Sequence, residues 1–396
     1  MAGALQGVRV LDTSTVIAGP FAAGLLADFG AEVIKVEMPG TGDPGRSLGP
    51  LHEGQSLRWP TFSRNKKSLA LDLRKPEGKA VFLDLVGKSD LIIENFRTGT
   101  LDKWGLDFET LKKANPNISV VRITGYGQTG PNASLAGFGT PCTAFSGLTY
   151  VTGHPDKSPV SPSISLADYI AGLYAAFAAL MCLYHRDHQG GGQEADISLY
   201  EGIFRMLEGF IAQYAAKGVI QERSPDIKGA ASPVGTFQSK DGKWFVLVCS
   251  TDRTFFYLAE AIGREDMKTD PKFSTNAARI ANNDELEAII IEWLSQRDWK
   301  DIKETLDAAG APVSLIYSMK DCFNDPHYQA RGNIVEMQHP KFGTVAMPGI
   351  VPKMSKTPGE IKWIGPKLGE HNDDILTGLL GMSESRVAEL KEKGIL

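Results

Sequence analysis

The sequence predicts an α/β protein: a large Rossmann-like domain on a parallel sheet, joined to a small α+β domain. Two observations carry this. Between residues 8 and 37, two short apolar runs flank a helical stretch, and strand, helix, strand in so short a span is a βαβ unit with parallel strands. From Val234 to Val248, two runs rich in aromatic and β-branched residues flank the turn Lys240-Asp-Gly-Lys243, which reads as a hairpin opening a different kind of unit.

In chain order, Val8 to Leu11 is a buried strand ending at Asp12, Thr13 to Pro20 a loop, and Phe21 to Phe29 a helix stopped by Gly30. Ala31 to Glu37 is the second strand. A helix over Glu77 to Gly87 and strands at Asp90 to Glu94 and Ile118 to Ile123 complete a doubly wound pattern. The stretch from Tyr169 to Tyr184 carries no charge and reads as a buried helix of small residues, packed on several sides. Glu194 to Leu199 reads as a strand and Tyr200 to Lys217 as a helix. After the hairpin come helices at Arg253 to Ile262, Asn283 to Ser295 and Trp299 to Ala309, a strand at Val313 to Ile316, and a last helix at Ser383 to Lys393. The expected organisation is a large domain over 1–217, a linker over 218–231, a small domain over 232–325, and a return linker with the rest of the large domain over 326–396.

Composition narrows the function classes. A net charge of −5 argues against a nucleic-acid binder. Four cysteines, Cys142, Cys182, Cys249 and Cys322, stand far apart with no metal-ligand spacing and read as free thiols of a reducing compartment. The N-terminus lacks the basic start and apolar run of a signal peptide, and the apolar stretch after Asp168 reads as too short and too alanine-rich for a membrane span. The expectation is a cytoplasmic protein without membrane or nucleic-acid partners. A dinucleotide is disfavoured as well. The first turn, Thr15-Val-Ile-Ala-Gly-Pro-Phe-Ala-Ala-Gly24, has the wrong glycine spacing and puts Pro20 where a backbone should wrap a pyrophosphate, so Glu37 is not read as a ribose ligand.

Several residues invite a ligand. Ligands of open α/β sheets bind at the carboxyl ends of the strands. Basic residues cluster there in Arg64-Asn-Lys-Lys-Ser68, Arg74-Lys75 and Glu94-Asn-Phe-Arg97, suited to phosphates, with Phe96 able to stack. The same residues also fit a solvated basic face. Thr124-Gly-Tyr-Gly-Gln-Thr-Gly-Pro131 is either a tight turn or a set of N–H groups offered to an anion. His185 and His188 lack a third ligand, so no metal site is expected. Asp168, in the first turn of the apolar helix, is either a cap or a chemical group.

Read together, Gly7-Val-Arg-Val-Leu-Asp12, Ala18-Gly-Pro20, Leu26-Ala-Asp-Phe-Gly-Ala-Glu-Val-Ile-Lys-Val-Glu37, Gly42-Asp-Pro-Gly-Arg46, Asn65-Lys-Lys-Ser-Leu69, Glu94-Asn-Phe96, the Thr124 turn, Asp168 and Leu368-Gly-Glu-His371 resemble class III CoA-transferases in order along nearly the whole chain. The resemblance implies two ring-shaped chains interlocked as a homodimer, acyl-CoA and a carboxylic acid as substrates, and no permanently bound cofactor. It implies that Asp168 is the catalytic aspartate, carrying coenzyme A as an aspartyl thioester. It further implies that Val16, Ala18, Leu71, Arg74, Asn95, Phe96, Arg97 and Lys103 hold coenzyme A. The related racemases carry an Ala-Gly-His-Asp pattern where this chain has Ala136-Gly-Phe-Gly139, and Phe138 cannot carry a proton. Gly139 also departs from the acidic residue usual after the aromatic position. The formyl-CoA:oxalate type has a glycine run in its small domain where this chain has Pro233-Val-Gly-Thr-Phe-Gln-Ser239, and Met38 and Ala136 replace basic residues of that type. The likeness is nearer to enzymes using succinyl-CoA with dicarboxylic acceptors. Formyl-CoA:oxalate, carnitine and aryl-acid CoA-transferases are the alternatives, followed by an α-methylacyl-CoA racemase or a non-catalytic subunit of a heteromer. Arg46 and Arg64 are candidates for an acceptor's second carboxylate.

Overall fold

Six parallel strands form the sheet of the larger unit: β1 (Arg9–Asp12), β2 (Glu32–Glu37), β3 (Lys66–Ala70), β4 (Leu91–Glu94), β5 (Ser119–Thr124) and β6 (Glu194–Ser198). Their order, β3-β2-β1-β4-β5-β6, is that of a doubly wound sheet whose direction reverses beside β1. The computed structural model describes residues 3–225 and 231–396. Of the expected linker, 226–230 therefore lie outside the described residues. The larger unit comprises Met1–Tyr150, Ser161–Gln221 and Ala330–Leu396; the smaller comprises Val151–Val160 and Glu222–Gln329.

Alternation along the strands divides the apolar side chains between two faces. Val10, Val33, Ile93 and Val121 point to one core, shared with helices α1 (Ala18–Asp28) and, further along the chain, α4 (Leu166–Gln189). Their neighbours Leu11, Ile34, Ile92 and Val120 point to the other, shared with α2 (Pro76–Val86) and α3 (Phe108–Ala114). Each such side chain removed from water contributes roughly 1.5–3 kcal/mol, so both faces must be covered.

Strand β3 corrects the reading of the 64–68 segment as a basic loop. Lys66 is fully buried, its Nζ 2.8 Å from Asp12 Oδ2 and donating to the Pro20 carbonyl at 2.7 Å. Lys67 pairs with Glu32, and Arg64 Nε donates to Asp28 Oδ1 at 2.9 Å. These charges meet carboxylates brought from other strands and from α1; Lys66 and Arg64 are buried against them, and Lys67 stays half-buried beside Glu32. The open edge of β3 is covered by the return segment: His371 N donates to the Ser68 carbonyl, Ala70 N to Asn372 Oδ1, and Trp363 Nε1 to the Lys66 carbonyl. Leu368-Gly-Glu-His371 thus occupies a sheet edge that would otherwise expose unpaired backbone groups.

Helix α4 also differs from expectation. At 24 residues it is long and apolar enough to span a bilayer, and only one face is buried. Ala167, Ala171, Ala175 and Ala179 lie within the core, whereas Leu173, Phe177 and Tyr184 are 54, 55 and 64% exposed. Small residues bring the buried face close to α1, and the large ones stand on the opposite side. The helix expected over 200–217 is interrupted at Leu207, between Glu201–Met206 and Glu208–Lys217.

In the smaller unit, strands β7 (Val234–Gln238), β8 (Trp244–Val248) and β9 (Val313–Leu315) form an antiparallel sheet in the order β9-β8-β7. It packs with α5 (Asp252–Ala261), α6 (Asn283–Ser295) and α7 (Trp299–Ala309) around Phe245, Phe255, Leu286 and Leu306. Arg279, fully buried, ties this core to its surroundings through the Ser232 and Phe273 carbonyls and Asp252.

Candidate active site

The loop leaving β1 is held by a buried charge cluster. Asp12 faces Lys66 and, at 3.7 Å, Lys35. Burial works against its charge, yet Lys35 and Lys66 hold its carboxyl below the usual range. Burial likewise opposes the Lys35 ammonium, but Asp12, Asp43 and Glu37 together keep it firmly protonated. Lys35 Nζ reaches the Ser14 carbonyl and lies 2.9 Å from Asp43 Oδ2. Asn95, at the end of β4, accepts from Thr15 N at 2.7 Å and donates to the Thr15 carbonyl at 2.7 Å. Val16 follows in the left-handed region, with φ +68°, its N–H donating to Asp43 Oδ1 at 2.9 Å.

This loop borders a cavity of about 220 Å³ at the carboxyl ends of the strands, lined among others by Thr15, Met38, Asp43, Leu71 and Phe96. Phe96 is fixed by an edge contact with Trp104 and by its N–H, which donates to Glu94 Oε2 at 2.7 Å. Burial pushes Glu94 up to about 7, partly offset by that N–H and by Arg122. Arg74 forks onto Asp72 and extends Nη2 to Met38 Sδ at 3.3 Å. Arg97 and Lys103 are exposed and, among the described residues, carry no ion pair. Of the residues expected to hold coenzyme A, Leu71 and Phe96 therefore line one cavity, with Val16 in the loop beside it, Asn95 bonded to that loop from the end of β4, and Arg74 at Met38.

Asp168 sits in the first turn of α4, whose N-cap is Ser165. Its carboxylate lies directly over Gly139, the first residue of the helix Gly139–Phe145. A Cβ at 139 would overlap Asp168 Oδ2 and come within 3.2 Å of Cγ. The loop before it is set by a second glycine contact: a Cβ on Gly125 would lie 2.5 Å from the Gly137 Cα. One turn beyond Asp168, a Cβ on Gly172 would lie 2.8 Å from the Ala18 carbonyl, so α4 and the start of α1 touch through backbone. Ala18 thereby connects the Asp168 end of α4 to the Val16 loop. Burial raises the Asp168 carboxyl to about 6, opposed by its own backbone N–H. The helix start does not hold it at an ordinary value, but it remains ionised at neutral pH. Nearby Cys142 is pushed up to about 11 by burial and the Asp168 charge, which leaves it an inert thiol.

Other expectations change. Arg46 spends Nε and Nη2 on Glu37 at 2.7 Å each, Nη1 on the Pro366 carbonyl, and stacks over Trp59. Arg64 is consumed by Asp28 and the Pro348 carbonyl. Neither offers a free guanidinium to a second carboxylate. In the Thr124 turn, Gly127 N donates to Thr124 Oγ1 and Gln128 N to Asp196 Oδ2, so these N–H groups close a turn. The roles of Asp43 and of the open space at Gly139 are not legible from residue types alone. The Gly42-Asp-Pro-Gly-Arg46 motif is a signal for the first, and the departure of Gly139 from the acidic pattern a signal for the second.

The model of CoA-transferase family III matches residues 5–372. The chain is 42% identical over 393 residues to succinyl-CoA–D-citramalate CoA-transferase of Chloroflexus aurantiacus, covering 99% of this chain and 98% of that protein. It is 41% identical to the beta subunit of succinyl-CoA–L-malate CoA-transferase from the same organism, covering 99% and 98%. A crystal structure of a CAIB/BAIF family protein from Brucella suis superposes with a TM-score of 0.83 at 33% identity, covering 96% of this chain and 100% of that one.

Proposed function

The chain belongs to CoA-transferase family III and is a CoA-transferase; from that premise we propose that it moves coenzyme A from succinyl-CoA to a dicarboxylic acid through a thioester on Asp168. The observation carrying this reading is the seat of Asp168: a carboxylate at a helix start, largely withdrawn from water, with Gly139 leaving room for it on one side.

An Asp168 oxygen attacks the thioester carbonyl, the C–S bond breaks, and coenzyme A leaves as thiolate. The thiolate attacks Cγ of the resulting mixed anhydride, and the donor acid departs as its carboxylate. An acceptor carboxylate then attacks the aspartyl thioester and the two steps run in reverse, restoring Asp168 without net proton transfer. The positive dipole at the start of α4, together with the N–H of Asp168 itself, favours the oxyanion that forms at Cγ. Leu71 and Phe96 wall the cavity for the adenosine end, and Arg74, Arg97 and Lys103 supply cations for its phosphates. Succinyl-CoA as donor, and a dicarboxylate as acceptor, follow the names of the relatives.

The test is mass spectrometry after incubation with succinyl-CoA and then hydroxylamine. The peptide containing Asp168 is expected to become a hydroxamate in the wild type and to stay unmodified in Asp168→Ala. Labelling in both, or at another peptide, would remove Asp168 from the mechanism.

The apolar face of α4 formed by Leu173, Phe177, Leu180, Met181 and Tyr184 supports a second copy of the chain as its cover, in the interlocked arrangement. Native mass spectrometry of the chain expressed alone is expected to give twice the monomer mass. An inactive monomer that gains activity with a homologous chain would instead favour a heteromer.

A further inference from the structure

We propose that Asp43, anchored by Lys35, is a positioning residue: it clamps Val16 in a left-handed backbone conformation and thereby shapes the turn on which coenzyme A docks. The inference rests on the coenzyme A reading of that turn and goes on to say what builds it.

Three non-glycine residues among those described have positive φ: Glu53 at +48°, Asn65 at +61° and Val16 at +68°. Asparagine tolerates this region. A β-branched residue resists it, because its Cβ substituents crowd the backbone, and it stays only where its surroundings over-determine it. Those surroundings are present. Asp43 Oδ1 accepts from Val16 N at 2.9 Å and from Gly45 N at 2.7 Å. A Cβ on Gly45 would lie 3.4 Å from the Val16 carbonyl, so the 44–47 turn is seated against Val16. The other Asp43 oxygen meets Lys35 at 2.9 Å, and the same ammonium holds the Ser14 carbonyl. Thr15, between them, is tied at both its N–H and its carbonyl to Asn95. Asp43 and Lys35 are only 3% and 1% exposed, so water cannot replace either partner. Strain is thus concentrated at one peptide, bordering the cavity that Thr15, Asp43, Leu71 and Phe96 line.

A purely structural role, with Asp43 only neutralising Lys35, predicts a different outcome when Val16 is relieved of its strain. Glycine adopts positive φ without penalty. The experiment is a double-mutant cycle of Asp43→Ala and Val16→Gly, read by calorimetric binding of coenzyme A, by KM and kcat for succinyl-CoA, and by thermal unfolding. Asp43→Ala in the wild-type background is expected to weaken coenzyme A binding and raise KM about tenfold, with a smaller effect on kcat. In the Val16→Gly background the same substitution is expected to weaken binding less than about twofold, while lowering the melting temperature as much as before. Equal losses of affinity in both backgrounds overturn the clamp. Should Asp43→Ala fail to fold, Asp43→Asn takes its place in the same cycle, with an expected loss of about threefold that again vanishes beside Val16→Gly. A wild-type protein that binds no coenzyme A overturns the underlying reading and the clamp with it. Wild-type binding without rescue by glycine overturns the clamp alone.

Discussion

Replacing Asp168 by asparagine is expected to lower kcat by at least about 10⁴-fold while making the protein more stable. The amide keeps the shape of the carboxylate over Gly139 but is neither a nucleophile nor able to carry coenzyme A. The gain in stability follows from linkage. Burial holds the folded carboxyl at about 6, above its ordinary value of 3.8. Between those values the folded state binds more protons than the unfolded, so wild-type stability falls as pH rises through that window, and the loss is complete above about 6. An amide does not ionise, so the Asp168→Asn protein escapes this loss, and at pH 8 its advantage is on the order of 3 kcal/mol. Thermal unfolding at pH 8 and again at pH 4 checks this, since the difference should shrink at the lower pH. The same carboxyl predicts an acid limb in the wild-type kcat/KM, falling below pH about 6. Substantial turnover by the Asp168→Asn protein would reassign the nucleophile.

Gly139→Ala is expected to lower kcat about 100-fold with little change in melting temperature. The backbone at 139 is not in the left-handed region and would accept alanine, and the helix it opens keeps its Thr143 hydroxyl bond to the Gly139 carbonyl. The obstacle is the added methyl itself, which would occupy the place of Asp168 Oδ2. The carboxylate must swing aside, and a displacement of about 1 Å at a reacting atom is enough for a loss of this size. Steady-state kinetics with the melting temperature separates this from misfolding. A kcat close to the wild-type value would show that the carboxylate works from another position.

Much of the larger unit is readable from the chain because its strands are short apolar runs whose neighbours alternate between two cores, as Val10 with Leu11 and Ile92 with Ile93 do. Strand β3 is hidden because Lys66-Lys67 resembles a surface segment. Its character depends on Asp12 and Glu32, 54 and 35 residues away in sequence. The exposed face of α4 is hidden for a related reason: apolar composition does not tell whether a helix is covered by its own chain or by another. At the site, Asp168 stands out by its place at a helix start and by the ordered motifs around it. What surrounds it does not. The fit of Gly139 beneath the carboxylate and of Asp43 behind Val16 are contacts between distant segments, and no periodicity announces them.

The cover over the edge of β3 has a consequence for how the chain comes to be folded. Ser68 and Ala70 are partnered by His371 and Asn372, about three hundred residues later, and Asp72 N by the Ile395 carbonyl. During synthesis the sheet emerges first, yet its outer strand waits for nearly the whole chain before its backbone groups are met. Loop closure over that separation makes the step slow relative to local helix formation, and the waiting strand is the segment most open to pairing with another chain. The β7–β8 hairpin and helices α5 to α7, which share one core of their own, can collapse during that interval. The return segment is therefore the contact on which closure of the β3 edge depends, however early the rest of the sheet has paired.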